Sequence, residues 1–166
     1  MLFGSGWCVL RTSREEYRGA AVELVPEIDA RIEVADKELW AAFEQWMGGH
    51  ETPWLKWHLH EHLNNHAGIL LFCISRNHRG SPVWEMLRWI TDHGPGSYGL
   101  FYVHDDEDIV DASRFGRGIT TDYNNLFRVH RILNEALTEL DDPFFGPITP
   151  NIDPPHPYDR DIEEAD

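Results

Sequence analysis

Residues 54–75 read WLKWHLHEHLNNHAGILLFCIS, and the order of apolar and polar side chains within them gives the strongest indication of the fold. From residue 54 to residue 63 the two kinds alternate, with Leu55, Trp57, Leu59 and Leu63 on one face and Lys56, His58, His60 and His62 on the other. A repeat of two residues is typical of a half-buried strand. Residues 64–68 predict a turn, and the apolar run 69–75 predicts a second, more fully buried strand. The two strands therefore form a hairpin.

A helix is predicted on each side of this hairpin. Before it, apolar residues recur at steps of three and four, at Ile28, Ile32, Ala35, Leu39, Ala42 and Trp46. Pro26 suits the first turn of that helix, and Gly48-Gly49 ends it. After the hairpin, Ser81-Pro82 opens a second helix, which ends at residues 94–96. Its apolar stripe consists of Val83, Met86, Leu87 and Ile90.

Three further strands are predicted at residues 2–12, 97–104 and 126–133. This order of elements predicts an α+β domain, in which a mostly antiparallel sheet of about five strands carries two main helices on one face. The other face of the sheet would then be available for a partner. We assign residues 1–153 to this single domain and residues 154–166 to an acidic, Pro-containing C-terminal tail.

The chain has 166 residues, with 14 Lys and Arg against 29 Asp and Glu, so its net charge is −15. Nucleic acid and anionic membranes would repel such a chain, so neither is expected as a partner, whereas a basic protein would attract it. The acids are concentrated in two segments. Residues 105–111 hold five acids and no base, and residues 151–166 hold six acids and one Arg, so each segment contributes −5.

Two cysteines, Cys8 and Cys73, lie in separate apolar runs, which predicts two buried, reduced thiols and excludes a zinc site built on paired thiolates. The N-terminus lacks the basic start and long apolar stretch of a signal peptide. The longest apolar run is also far too short to cross a bilayer. These features predict a cytoplasmic location.

No segment of the chain predicts an active site or a cofactor site. His58, His60 and His62 would share a strand face and could converge on a metal ion, but three histidines on a solvated face need no ligand. Residues 105–108 lack the alternating acids and central Gly of a calcium loop. Phosphate-cradling Gly-rich loops and a nucleophile elbow are missing. We therefore predict that the chain is not an enzyme and that it binds no cofactor.

An ordered series of short motifs resembles the immunity protein 7 family of bacterial polymorphic toxin systems. Together with Gly6-Trp7, the series consists of Asn77-His78-Arg79-Gly80, Pro95-Gly96-Ser97-Tyr98-Gly99-Leu100, Tyr102-Val103-His104-Asp105-Asp106-Glu107-Asp108, Asn125-Leu126-Phe127-Arg128-Val129, Asp142-Pro143-Phe144 and Pro147-Ile148-Thr149-Pro150. The resemblance covers residues 68–153 and the first strand. It implies a protein that is encoded beside a toxin, often a nuclease, and that neutralises this cognate toxin by binding it.

The resemblance and the charge together predict a set of toxin-binding residues. Asp105, Asp106, Glu107 and Asp108 would enter a basic active-site groove, with Asn77, His78 and Arg79 beside them and Tyr98 or Tyr102 as an aromatic anchor. An alternative role for Arg79 and Arg128 is structural, as partners that organise the acidic loop. Two other functions stay open at this point: a small metal-dependent enzyme using the His-rich strand, and a generic acidic interaction module.

Overall fold

The computed structural model describes residues 2–13, 21–63, 67–77, 82–105 and 127–141 of the chain. The elements are β1 (Leu2–Leu10), a short 3-10 helix (Val22–Leu24), α1 (Val25–Gly48), β2 (Leu55–Leu63), β3 (Ala67–Arg76), α2 (Pro82–His93), β4 (Tyr98–Asp105), β5 (Phe127–Leu133) and β6 (Ala136–Asp141). Within these residues the strands form one six-stranded sheet in the order β2-β3-β1-β4-β5-β6. Every neighbouring pair is antiparallel, so the predicted α+β class is confirmed.

The sixth strand is the small difference from the predicted sheet of about five. β5 and β6 are joined by Asn134 and Glu135, which both have positive φ, at 57° and 59°. Positive φ at both central residues is typical of a two-residue type I′ hairpin turn. Asn tolerates this conformation well, but Glu adopts it rarely, so the turn lacks the Gly that normally marks it in a sequence.

Both helices pack on the same face of the sheet, as predicted. The indole Nε1 of Trp40 in α1 donates a hydrogen bond to the carbonyl oxygen of Leu10, at 3.0 Å. Trp84 in α2 lies edge-on to Phe101 of β4, with ring centroids 5.4 Å apart. Phe43 contacts both Trp57 of β2 and Trp89 of α2, with centroids 5.5 Å apart in each pair. The core therefore lies between one sheet face and the two helices.

The apolar stripe of α2 is buried as predicted, whereas that of α1 is rotated from the prediction. In α2, Val83, Met86, Leu87 and Ile90 are all fully buried. In α1 the buried residues are Ile32, Asp36, Leu39, Trp40, Phe43 and Met47, while the predicted Ala42 is exposed. Larger side chains at neighbouring positions turn the helix because they bury more apolar area than an Ala does.

The face of the sheet opposite the helices, which we call the open face, is built from alternate residues of every strand. It comprises the odd-numbered residues of β1, β3 and β5 and the even-numbered residues of β2, β4 and β6. On β2 this assignment ends at His60, because the register shifts between His60 and Leu63. The candidate functional site lies on the open face and at the adjoining end of the sheet.

Candidate functional site

The strand register brings two of the predicted binding segments to the same end of the sheet. Leu2 of β1 pairs with Arg76 of β3 on one side and with Asp105 of β4 on the other. Asn77 follows Arg76 directly and is exposed. The ends of β3 and β4 are thus two strand spacings apart, about 10 Å. Asn77 and Asp105 therefore lie at the same end of the sheet.

His78, Arg79, Asp106, Glu107 and Asp108 lie outside the described residues, and for Asp105 the structure describes the backbone alone. Arg128, the alternative structural partner of the acidic loop, lies buried on β5. Its Nε is 3.6 Å from Oε1 of Glu139 on β6, so one described contact of this guanidinium joins the last two strands.

The two predicted aromatic anchors both lie on the open face. Tyr98 is exposed and lies edge-on to Trp7 of β1, with ring centroids 6.2 Å apart. Tyr102 is half-buried and stacks on Phe127 of β5, with centroids 5.3 Å apart. The four residue steps from Tyr98 to Tyr102 span about 13 Å along β4. Tyr102 therefore lies near the end of β4 that carries Asp105, and Tyr98 lies at the other end.

The open face is strongly apolar. The sequence predicted that this face is available for a partner but did not predict its apolar character. Six large side chains on it are exposed by 36–46%: Phe3, Trp7, Leu71, Tyr98, Leu100 and Leu133. The signal was present in β1, where the large residues Phe3 and Trp7 occupy odd positions and Gly4 and Gly6 occupy the even positions between them. A Cβ at Gly6 would collide with the ring of Phe72 on the helix-covered face. Phe3 and Trp7, on the opposite side of β1 from the two glycines, therefore belong to the open face.

At the acidic end of the sheet, the open face carries a cluster of aromatic rings. Phe3 stacks on His104 with centroids 5.0 Å apart, and Phe127 lies 6.0 Å from Phe3 and 4.9 Å from His104. Next to the cluster, Ser5 and Tyr102 help to line a hollow of about 330 Å³. A second hollow of about 410 Å³ continues from Ser5 toward Lys56 and Cys73. Ser5 thus lines both hollows, which lie side by side on the open face.

The charges of the open face have the opposite sign to those of the whole chain. Lys56 on β2 and Arg131 on β5 lie on this face, and both side chains are exposed. Among the strand residues that the structure describes on this face, none is Asp or Glu. The open face is therefore a positively charged apolar surface on a protein of net charge −15.

The His-rich strand brings two of its three histidines together. The rings of His58 and His60 lie edge-to-face with centroids 4.1 Å apart on the open face. His62 follows the register shift, and its side chain lies outside the described part of the structure. The described residues contain no group of three or more His, Cys, Asp or Glu side chains that could hold a metal ion.

The prediction of two buried thiols is right for Cys8 and wrong for Cys73. Both cysteines are free, but Cys8 is buried under the helices and Cys73 is exposed on the open face. The difference arises because β3 is covered on one face alone, so every second residue of its apolar run meets solvent. Burial raises the pKa of the Cys8 thiol far above its usual value, which keeps that thiol protonated.

The sequence patterns also did not predict a buried carboxylate. Asp36 lies within the buried face of α1, where it accepts hydrogen bonds from the backbone N and the Oγ1 of Thr12, both at 2.7 Å. Its Oδ2 is 3.7 Å from Nε of Arg11. The carboxylate thus ties α1 to the segment that follows β1. An acid at a helical position normally predicts a solvated face, so tertiary contacts alone reveal this role.

Comparison with protein families decides what kind of protein carries this surface. The family model of immunity protein 7 matches residues 1–154. The chain belongs to the immunity protein 7 family. The match extends beyond the motifs that carried the resemblance and includes α1 and β2 as well. Comparisons with curated proteins and with solved structures give no match.

Membership of the immunity protein 7 family gives the chain the role of an immunity protein, whose partner is a cognate toxin. The family points to a role in binding and not in catalysis. No helix among the described residues is long and apolar enough to cross a membrane.

Proposed function

We propose that this immunity protein neutralises a nuclease toxin by placing the acidic residues 105–108 in its basic active-site surface. The observation that carries the proposal is the family match over residues 1–154. A nuclease must hold phosphates, so its active site is basic, and a run of carboxylates can occupy the same groove. We further propose that the complex forms in the cytoplasm, where a nuclease toxin meets its substrate.

The distribution of charge supports this proposal. Five acids without a base occur in residues 105–111, beginning with Asp105, the last residue of β4. A strand that is paired on both sides fixes the start of this segment, because β4 lies between β1 and β5. Four consecutive carboxylates repel one another, and a basic partner would relieve that repulsion. Binding a basic partner would thus offset the unfavourable free energy of holding the four carboxylates close together.

Two further groups of contacts belong to the same proposal. Asn77, His78 and Arg79 would add polar contacts beside the acidic residues, since the register places the ends of β3 and β4 together. Tyr98 and Tyr102 would supply aromatic anchors on the adjoining face. Tyrosine suits this role because it buries a large ring while its hydroxyl still reaches a polar partner.

Co-expression with the cognate toxin tests the acidic segment. We expect the quadruple variant Asp105→Asn, Asp106→Asn, Glu107→Gln, Asp108→Asn to lose protection of growth and to associate with the toxin at least tenfold more slowly. The matched control is Asp161→Asn, Glu163→Gln, Glu164→Gln, Asp166→Asn, which removes the same four charges from the C-terminal tail. The control should protect as the unchanged chain does.

Two outcomes would contradict this proposal. Full protection by the variant of residues 105–108 would show that these acids do not form the interface. An equal loss in both quadruple variants would show that overall charge matters and that its position does not. Stopped-flow association rates at low and high salt separate these outcomes, because electrostatic steering weakens as the ionic strength rises.

A further inference from the structure

The open face carries a continuous apolar strip whose centre is a tryptophan. Trp7 of β1 pairs in register with Leu71 of β3 on one side and with Leu100 of β4 on the other. We call these three residues the Trp7 strip. Each of them is exposed, by 40%, 46% and 39% respectively. Large apolar side chains that are grouped on one surface of a protein commonly mark a site of interaction.

The surroundings of the Trp7 strip match the anatomy of a protein–protein interface. Tyr98 contacts Trp7 edge-on, and Arg131 pairs in register with Leu100 at the outer side of the strip. Lys56 and His58 lie on β2 beyond Leu71. Interfaces place Trp, Tyr and Leu at a dry centre and charged groups at a solvated rim, and energetic hot spots are enriched in Trp, Tyr and Arg.

We propose that the toxin makes a second contact on the open face, through an apolar patch of its own that is bordered by carboxylates. This inference rests on the proposed function, because it names another part of the same complex. Charge complementarity selects the chemistry of the patch: the described strand residues of the open face include Lys56 and Arg131 and no acid. The toxin thus offers a basic groove to residues 105–108 and an acidic border to the open face.

Distance along the sheet allows one partner to cover both places. Asp105 pairs with Leu2, and Trp7 lies five residues further along β1, which corresponds to about 17 Å. An interface of ordinary size covers about 800 Å² on each partner, so it is about 30 Å across. The open face also continues from the Trp7 strip through Ser5 to Phe3, without a covering helix in the described structure. One toxin molecule can therefore contact the acidic segment and the strip together.

A second copy of this chain suits the surface less well than a toxin does. Two chains of net charge −15 repel each other, and a pair of open faces would bring together two surfaces whose described charged strand residues, Lys56 and Arg131, are both cations. Membranes and nucleic acid are disfavoured by the same net charge. A protein with carboxylates beside an apolar patch meets none of these obstacles.

Substitutions in the Trp7 strip test the proposal through the affinity for the toxin. We expect Trp7→Thr to weaken binding at least thirtyfold, the size of a hot-spot loss. Leu71→Thr and Leu100→Thr should each weaken binding three- to tenfold, because threonine keeps the strand but removes apolar area. The matched control is Val34→Thr, since Val34 is 58% exposed on α1, away from the open face. It should change the affinity by less than twofold.

Charge substitutions distinguish two explanations, because the two predict opposite changes in the rate of association with the toxin. The double variant Lys56→Gln, Arg131→Gln changes the net charge from −15 to −17. If attraction to a basic toxin were the whole explanation, this variant would associate faster. The open-face contact predicts slower association and weaker binding instead, because the carboxylates of the toxin lose their partners.

Cys73 provides a footprint that needs no substitution. It lies exposed on the open face, where it pairs in register with Ser5, whereas the other cysteine of the chain, Cys8, is buried. We expect a thiol reagent to modify Cys73 quickly in the free protein and at least tenfold more slowly in the complex. Circular dichroism and urea unfolding of each variant establish that its fold is retained.

Every other combination of results either supports or overturns the proposed contact on the open face. Unchanged affinity in the strip variants, with Cys73 equally reactive in the complex, would overturn the second contact and leave the role of residues 105–108 intact. Loss of binding in the strip variants with full protection by the variant of residues 105–108 would support the open face and refute the acidic segment. A free-protein dimer that Leu100→Thr dissociates would assign the face to a second copy. Slow modification of Cys73 in the free monomer would mean that another segment of the chain, and not the toxin, covers the open face.

Discussion

Replacing Asp36 by alanine should lower the free energy of unfolding by about 3–5 kcal/mol. The carboxylate is 1% exposed and accepts two hydrogen bonds of 2.7 Å from Thr12, one from its backbone N and one from its Oγ1. A hydrogen bond to a charged group contributes about 1.5–3 kcal/mol. Removing the carboxylate also leaves the Thr12 donors without this acceptor, and it opens a small space in the core.

The contribution of Arg11 to this loss should be small. Its Nε is 3.7 Å from Oδ2 of Asp36, but its side chain is 31% exposed. Solvent screens a pair of this kind, and such pairs contribute about 0–1 kcal/mol. The two short hydrogen bonds therefore dominate, and the ion pair adds little.

Two milder substitutions separate the parts of this site. Asp36→Asn keeps an oxygen that can accept from Thr12 but removes the charge, so we expect a loss of about 1–3 kcal/mol. Thr12→Ala removes the Oγ1 hydrogen bond and keeps the backbone one, so a loss of about 1–2 kcal/mol is expected. The order of stability should be wild type, Thr12→Ala, Asp36→Asn and Asp36→Ala, from highest to lowest.

Urea unfolding followed by circular dichroism measures these differences, provided that the slope with denaturant is equal in all variants. The double variant Thr12→Ala, Asp36→Ala closes a thermodynamic cycle and should lose no more than Asp36→Ala alone. A loss below about 1 kcal/mol for Asp36→Ala would contradict this prediction, because the carboxylate would then not join α1 to the segment after β1.

Three other predictions concern packing and thiol reactivity. Gly68→Ala should destabilise the protein by about 1–3 kcal/mol in urea unfolding, because its Cβ would lie 2.5 Å from Nε1 of Trp40 and displace the indole. Gly48→Ala, at the end of α1 with nothing within 4 Å of the added Cβ, should stabilise by about 0.5–1 kcal/mol, and equal losses at both glycines would contradict this account. A thiol reagent should titrate Cys73 alone in the native protein and Cys8 after unfolding; rapid reaction of both native thiols would contradict the burial of Cys8.

Strong periodicity made much of the fold predictable. The alternation in residues 54–63 placed Leu55 and Leu59 in the core, and both are buried. The four-residue stripe of α2 was also right, because Pro and Gly mark both ends of that helix. Periodicity reports which residues share a face, and burial of one face is what selects it.

Weaker signals led to the errors. β6 was missed because its turn uses Asn134 and Glu135 and lacks a Gly. In α1 the predicted stripe was displaced toward Ala42, since Asp36 looked like a solvated residue and in fact lies in the buried face. A buried acid is recognised by the partners it meets, and those partners, such as Thr12, are distant in sequence.

The sequence by itself determined the fold class, the two helices, the hairpin and the concentration of acids after β4, because each depends on residues close together in the chain. It also carried the motifs of the immunity protein 7 family. Tertiary structure alone decided that Asn77 and Asp105 share one end of the sheet and that Leu71, Trp7 and Leu100 form one exposed strip. Those juxtapositions depend on which strands become neighbours, and that is fixed by packing between distant segments.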